Sequence, residues 1–374
     1  MNINLNKRPS SKHFIATIKT QMTKILTIAT ASTKPDQLKD TNHALYPRVD
    51  YLELQNFLDV DILDYTSYDK TSMGNMLRSW ETKVHSDLYL TVLGLLKENP
   101  YRLVFAMSER VGIPFAALNR LSPTRKPFVS LFQCWSKRQE QFMTSLNLFN
   151  AMDGIAVHCQ SMKDHFIQLG AVAEKVHLIH YSIDHNFFAP LSDVEQEKNL
   201  IMSIGEIRSR DYESLFKAAK DLPVQLAVAA SGSWYAREAE TDLQVPLPQN
   251  VQITSRLPRA ELRKLYARSQ FVVIPIKNVL FSAGATATLE ASSMGRAVIA
   301  FRSQGIVDYV IDGETGILVP PGDVQGMKEA IQFLQSNPQE AKRLGDNARQ
   351  RIVEELNLDN YVAKITRFLQ TYLP

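Results

Sequence analysis

The chain is poor in the features that commit a sequence to a special environment. Only two of its 374 residues are cysteine, Cys134 and Cys159, and they form no C-x-x-C pair. A disulfide-stapled fold and a cysteine zinc site are therefore excluded, and two free thiols suit a reducing compartment. No Asn-x-Ser/Thr sequon occurs. No apolar run approaches the roughly 18 residues that a membrane-spanning helix needs; the longest, LYLTVLGLL, runs into Lys97. Charge of one sign is also lacking: 42 Lys and Arg against 39 Asp and Glu leave a net +3, too little for a nucleic-acid-binding surface. No G-x-G-x-x-G is present, which argues against a nicotinamide dinucleotide. The histidines show no H-x-x-x-H spacing; His158, His177, His180 and His185 fall on a strand, a strand end and a linker, so no metal centre is expected.

What is present is ordinary globular material, 45% hydrophobic and 22% charged, long enough for two domains. Residues 1–23 are basic (Lys7, Arg8, Lys12, Lys19) without an apolar signal core, and are expected to form a tail with at most weak contact to anionic lipid. From residue 24 short apolar runs alternate with helical patterns. KILTIATA, RLVFAM, KPFVSLF, GIAVHC and KVHLIHY read as strands, and VDYLELQNFL, HSDLYLTVLGLLKEN, VGIPFAALNRL and SMKDHFIQLG as helices. DVDILDY alternates and reads as a further strand. The alternation restarts after the proline-bearing, charged segment 186–199. NLIMSIG, VQLAVAAS, VQITSRL, QFVVIPI and AVIAF are then strands, and three helices close the chain. Repeated βαβ units imply parallel sheets, and two doubly wound domains side by side leave a cleft at the carboxyl ends of their strands.

SAGATATLEASSMGRAVIA, residues 282–300, is the most informative stretch. It leaves the end of a parallel strand with almost no side-chain bulk and enters a helix. Small residues let backbone N–H groups approach a ligand, and the helix N-terminus favours an anion such as phosphate. Glu290 follows on a segment that otherwise wants core.

This stretch resembles the E-x7-E segment of retaining GT-B glycosyltransferases of family 4, the glycosyl transferases group 1. GIVDYVIDGETGILVPPGD (305–323), NLIMSIGEIRSRDYESLFKA and VHLIHYSIDHNFFAP (176–190) are similar to further segments of the same family. The resemblance runs from about residue 24 and is most specific over 199–335. It implies an α/β GT-B fold of two Rossmann-like domains facing a cleft. The expected organisation is an acceptor-binding domain over 24–190, a nucleotide-sugar donor domain over 191–357, and a closing helix over 358–374 that packs back on the first domain. The resemblance also implies that Glu290 takes the donor ribose, since a carboxylate accepts two hydrogen bonds from a vicinal diol. Arg208 and Arg210, with Gly284, Ala285 and Thr286, would hold the diphosphate, and base contacts would come from the backbone near 230–233 and 255–257.

The pattern departs from the family in places. The first glutamate of E-x7-E is Ser282, in the donor-sugar region, and a serine there implies a roomier and less anionic pocket, open to a sugar bearing a carboxylate. A histidine often found after a strand of the first domain falls near Gln133. Ser108, Glu109 and Gln133 are the catalytic candidates. Asp59-Val60-Asp61 has the D-x-D form of metal-dependent glycosyltransferases but opens a strand, so no metal and no cofactor are expected beyond the nucleotide-sugar substrate. The implied function is transfer of a sugar from a nucleoside diphosphate to an acceptor by a cytoplasmic or peripheral-membrane enzyme. Its alternative is a catalytically silent protein of the same fold that binds nucleotide or glycan.

Overall fold

The computed structural model describes residues 24–33, 43–68, 72–97, 101–123, 125–206, 209–231, 246–254 and 257–373. The basic tail, and the sequence's candidate Arg208, lie outside them.

Two six-stranded sheets, parallel throughout, carry the molecule. The first contains β1 (Ile25–Ile28), β2 (Val60–Leu63), β3 (Leu103–Ala106), β4 (Phe128–Phe132), β5 (Gly154–Val157) and β6 (Val176–Leu178), in the order β2-β1-β3-β4-β5-β6. Its helices are α1 (Asp50–Glu53), α2 (Ser72–Val84), α3 (Leu88–Leu96), α4 (Glu109–Asn119), α5 (Lys137–Ser145) and α6 (Gln160–Gln168). The second sheet contains β7 (Leu200–Glu206), β8 (Gln225–Ser231), β9 (Val251–Thr254), β10 (Val272–Ile274), β11 (Val298–Phe301) and β12 (Gly316–Val319), in the order β9-β8-β7-β10-β11-β12. With it run α7 (Tyr212–Ala219), α8 (Arg259–Arg268), α9 (Ala285–Ser293), α10 (Val324–Ser336) and α11 (Pro338–Glu354), and α12 (Leu358–Thr371) ends the chain.

The central strands are buried from end to end, as in ILTI of β1, LVFA of β3 and FVSLF of β4. Such runs belong to sheets covered on both faces. One face of the first sheet packs Leu26, Val104 and Phe128 with Phe115 and Phe166. The other packs Leu103, Phe105 and Val129 against Tyr361, Ile365 and Phe368 of α12, so the last helix lies on the amino-terminal domain. In the second sheet Ile201, Val273 and Ile299 meet Leu215, Phe216 and Ile331 on one side. On the other, Met202, Ile274 and Val298 meet Tyr266 and Leu289.

The helices start where the sequence supplies caps. Asp211 accepts from Ser214 N, Asp323 from Gly326 N, and Asn357 from Asn360 N, each contributing about 1 kcal/mol. Two elements differ from the sequence reading. Residues 49–58 form one α-turn and a 3-10 turn over Leu54–Asn56 rather than a continuous helix. Helix α2 is not marked in the sequence by a plain core stripe, since two of its large apolar residues, Met76 and Trp80, are exposed.

Segments of the two domains are tied directly. Tyr309 OH donates to His158 O at 2.6 Å and accepts from Tyr181 N at 2.9 Å. Asp308 caps α6 through Gln160 N at 2.7 Å, and Ser161 Oγ donates to Leu280 O. Arg48 bridges Asp184 and Asp359, which stand on either side of the domain crossings.

Candidate active site

In doubly wound sheets ligands bind beyond the carboxyl ends of the strands, where the strand order reverses. That point lies between β7 and β10 in the second sheet and between β1 and β3 in the first. The loops at both places face one cavity of about 330 Å³, the size of a small-ligand site. Its walls are Ala29, Thr30 and Ala31 after β1, Met107 after β3, Gln133 and Cys134 after β4, His158 after β5, and Phe281–Ala283, Ala285 and Thr286 after β10. Asp50, Tyr51 and Tyr181 complete it.

The donor-side loop is built tightly. Gly284 caps α9 at φ +84°, and a Cβ there would lie 2.7 Å from Ile276 Cδ1, so this position requires glycine. Gly305 lies beneath the loop, where a Cβ would be 2.1 Å from Phe281 O. Ala285 and Thr286 thus hold the first turn of α9 in the cavity wall, where the first N–H groups of a helix seek an acceptor.

Arg210 is drawn to the same place through the backbone. It bridges Ile276, the residue packed beneath Gly284, and Asp211 N donates to Pro275 O. Its guanidinium is buried, donating to Ile204 O at 3.2 Å and Ser209 Oγ at 3.1 Å. Among the described residues no carboxylate forms an ion pair with it, and burial pushes its pKa below the usual value. Gly205, at φ +137°, leaves room for it: a Cβ would come within 2.5 Å of the guanidinium. A buried cation without a counter-ion is costly unless an anion joins it.

Glu290 lies deeper, 2% exposed, on α9. Its Oε1 accepts from Arg259 Nη1 at 2.8 Å and its Oε2 from Tyr266 OH at 3.0 Å. Burial raises its pKa, and Arg259 and Tyr266 oppose the rise. Arg259 is 41% exposed and covers the carboxylate from the solvent side, so a ribose diol would reach Glu290 by displacing it.

The catalytic candidates separate. Ser108 is buried and caps α4 through Arg110 N. Glu109 is buried and accepts from Gln133 N at 2.9 Å and Cys134 N at 3.3 Å, tying the end of β4 to the start of α4. Gln133 stands exposed in the cavity wall, with Nε2 donating to Met107 O. Ser282 also lines the cavity.

Sequence reasoning passed over two groups in the wall. Asp50 is the one carboxyl among the lining residues, so the pocket beside Ser282 does carry an acid, supplied by the opposite domain. Burial pushes its pKa up to about 6. His158 was weighed only as a metal ligand. It follows the buried run GIAV of β5, and a polar residue directly after such a run is the signal that could have marked it. Among the described residues no group of three His, Cys, Asp or Glu side chains is placed to hold a metal.

This architecture, two doubly wound domains with switch points facing across a cleft, is that of the GT-B class. The structure aligns with sucrose-phosphate synthase from Thermosynechococcus elongatus at TM-score 0.72 and 16% identity, over 93% of this chain and 98% of that one. It aligns with Anabaena HepE in complex with UDP-glucose at TM-score 0.68 and 16% identity, over 93% and 99%. Residues 187–351 match the model of the glycosyl transferases group 1 family. Among curated proteins, an MMP alpha-(1->4)-mannosyltransferase of Mycolicibacterium hassiacum is 24% identical over 56% of this chain and 52% of its own length. A sulfoquinovosyl transferase of Arabidopsis thaliana is 27% identical over 54% and 42%. The chain thus spans about half the length of the curated relatives it matches.

Proposed function

We propose that the protein is a retaining glycosyltransferase that takes a sugar from a nucleoside diphosphate and passes it to an acceptor held against the amino-terminal domain. The observation that carries this reading is Arg210, buried with no ion pair to a carboxylate among the described residues, whose backbone bridges Ile276 beneath the N-cap of α9 in the segment that matches the group 1 model. A guanidinium and the N-terminus of a helix suit a diphosphate, and they stabilise the charge that develops on it as the glycosidic bond breaks. Glu290 takes the ribose once Arg259 moves aside. The relatives named as glycosyltransferases, and the UDP-glucose complex of a protein of the same fold, support a nucleotide-sugar donor.

The test is release of nucleoside diphosphate from a panel of UDP-, GDP- and ADP-hexoses, with the anomeric configuration of the product read by NMR. Retention of configuration is expected, and inversion would refute the retaining mechanism. Ser282, which puts no carboxylate in the donor loop, favours a second reading in which the cleft binds nucleotide sugar without turnover. Binding without release would establish it.

A further inference from the structure

The cavity has two chemically different sides. Toward the second domain it is lined by the start of α9, while Arg210, buried and outside the wall, bridges Ile276 beneath Gly284. The described residues that line it include neither lysine nor arginine; their polar groups are Thr30, Asp50, Tyr51, Gln133, Cys134, His158, Tyr181, Ser282 and Thr286.

One of these groups, His158, has an acceptor atom with no donor among the described residues, and a second, Asp50, has an oxygen to spare. His158 is 3% exposed, and its Nδ1 lies 2.8 Å from Ile179 O. A carbonyl can only accept, so Nδ1 carries the proton and Nε2 presents a lone pair. Nε2 is buried with no hydrogen-bond partner among the described residues. Burial also lowers the imidazole's pKa to about 4, so the ring stays neutral near pH 7. Asp50 uses Oδ1 to accept from Tyr51 N at 2.9 Å, which leaves lone pairs on its other oxygen. Tyr181 and Tyr361, whose rings pack against His158 at 5.2 and 5.9 Å between centroids, close the wall behind it. The Tyr361 hydroxyl is likewise buried and unpartnered.

We propose that this wall is a subsite for the hydroxyl groups of an uncharged sugar, with the Asp50 carboxylate and His158 Nε2 as its acceptors. The inference rests on the nucleotide-sugar reading of the cleft and adds a specificity to it. Sugar hydroxyls donate to both acceptors and give the buried His158 Nε2 the donor it lacks among the described residues. A carboxylate or phosphate on the sugar finds no cation among the described lining residues, and Asp50 repels it at close range. This reading is the opposite of the expectation that Ser282 opens the pocket to acidic sugars, and it rests on Asp50, a carboxyl that the first domain adds to the same wall.

The sugar in question belongs to the donor or to the acceptor, and two arms of one experiment separate these sources. The full chain and its Asp50→Asn and His158→Phe variants are titrated calorimetrically with UDP, UDP-glucose and UDP-glucuronate. GDP, GDP-mannose and GDP-mannuronate replace them if UDP does not bind. The second arm titrates methyl α-glucoside and methyl α-glucuronide at saturating nucleotide. The parent is expected to prefer the neutral sugar by about tenfold or more. Asp50→Asn should weaken the neutral sugar by about 10- to 100-fold, the range of a lost charged hydrogen bond, narrow the gap to the acidic one, and leave bare nucleotide within about twofold. His158→Phe should weaken the neutral sugar without narrowing that gap. Effects confined to the first arm assign the subsite to the donor, and effects confined to the second assign it to the acceptor. Intact nucleotide binding with no Asp50 effect in either arm overturns this inference alone. Failure of every nucleotide to bind overturns the proposed function, and this inference with it.

Discussion

Asp50→Asn should make the protein more stable while weakening the site. The Asp50 carboxyl is held at about 6 instead of its ordinary 3.8, and burial is the main cause. For a carboxyl whose folded pKa is raised, the favourable contribution is fully present below the unfolded pKa and is lost as pH rises through the folded one. At about 1.4 kcal/mol per pH unit, ionised Asp50 therefore costs the native state about 3 kcal/mol above pH 7. Asparagine keeps an oxygen for Tyr51 N and carries no charge. Its gain should be about 3 kcal/mol at pH 7.5, roughly half that near pH 5, and nothing below pH 3.5. Urea unfolding followed by tryptophan fluorescence reads this, since Trp80 and Trp135 both lie in the amino-terminal domain with Asp50. A variant that is no more stable than the parent at pH 7.5, or whose gain does not change with pH, would refute the claim that burial destabilises the ionised Asp50.

Arg210→Ala should weaken nucleoside diphosphate binding about 10- to 150-fold and leave nucleoside binding unchanged, as measured by calorimetry. Gly205→Ala should reproduce much of that loss without removing a charge, because its Cβ would displace the guanidinium. Glu290→Gln should fold, and should lose more affinity for the intact nucleotide than for its 2′,3′-dideoxy analogue; equal losses would mean the ribose does not touch it. Gly305→Ala should destabilise by about 1–3 kcal/mol, the cost of overpacking, and should also weaken nucleotide binding, because its Cβ collides with the backbone of the loop that holds Ser282.

The parallel architecture was legible because strands buried on both faces are written as unbroken apolar runs, and the restart of the pattern near residue 191 marked the second sheet. What escaped was whatever depends on neighbours distant in sequence. Helix α2 displays Met76 and Trp80 outward, so these two apolar residues do not report a core. β12 is a four-residue strand inside a turn-rich segment. The donor loop could be read because its small residues are consecutive. Asp50, His158 and Tyr181 reach the cavity from three separate segments, and nothing in the local sequence of any one names the others. The Arg259 partner of Glu290 was hidden for the same reason, since 31 residues separate them.

The site holds opposite charges that form no ion pair with one another. Among the described residues Arg210 is buried on the second domain's side without an ion-paired carboxylate, and Asp50 is held on the first domain's side without a cation among those that line the cavity. If the two were in contact they would form an ion pair and leave nothing for a ligand. Kept apart, each stays under-satisfied, and a molecule that is anionic at one end and rich in hydroxyls at the other relieves both. A nucleoside diphosphate sugar has that polarity. Site groups held in this way lower the stability of the free protein and raise the gain on binding. The diphosphate and the sugar should then stabilise the chain through separate residues, so the losses in ligand-induced thermal shift from Arg210→Ala and Asp50→Asn should add. Strong non-additivity would show that the two ends of the ligand are read as one unit.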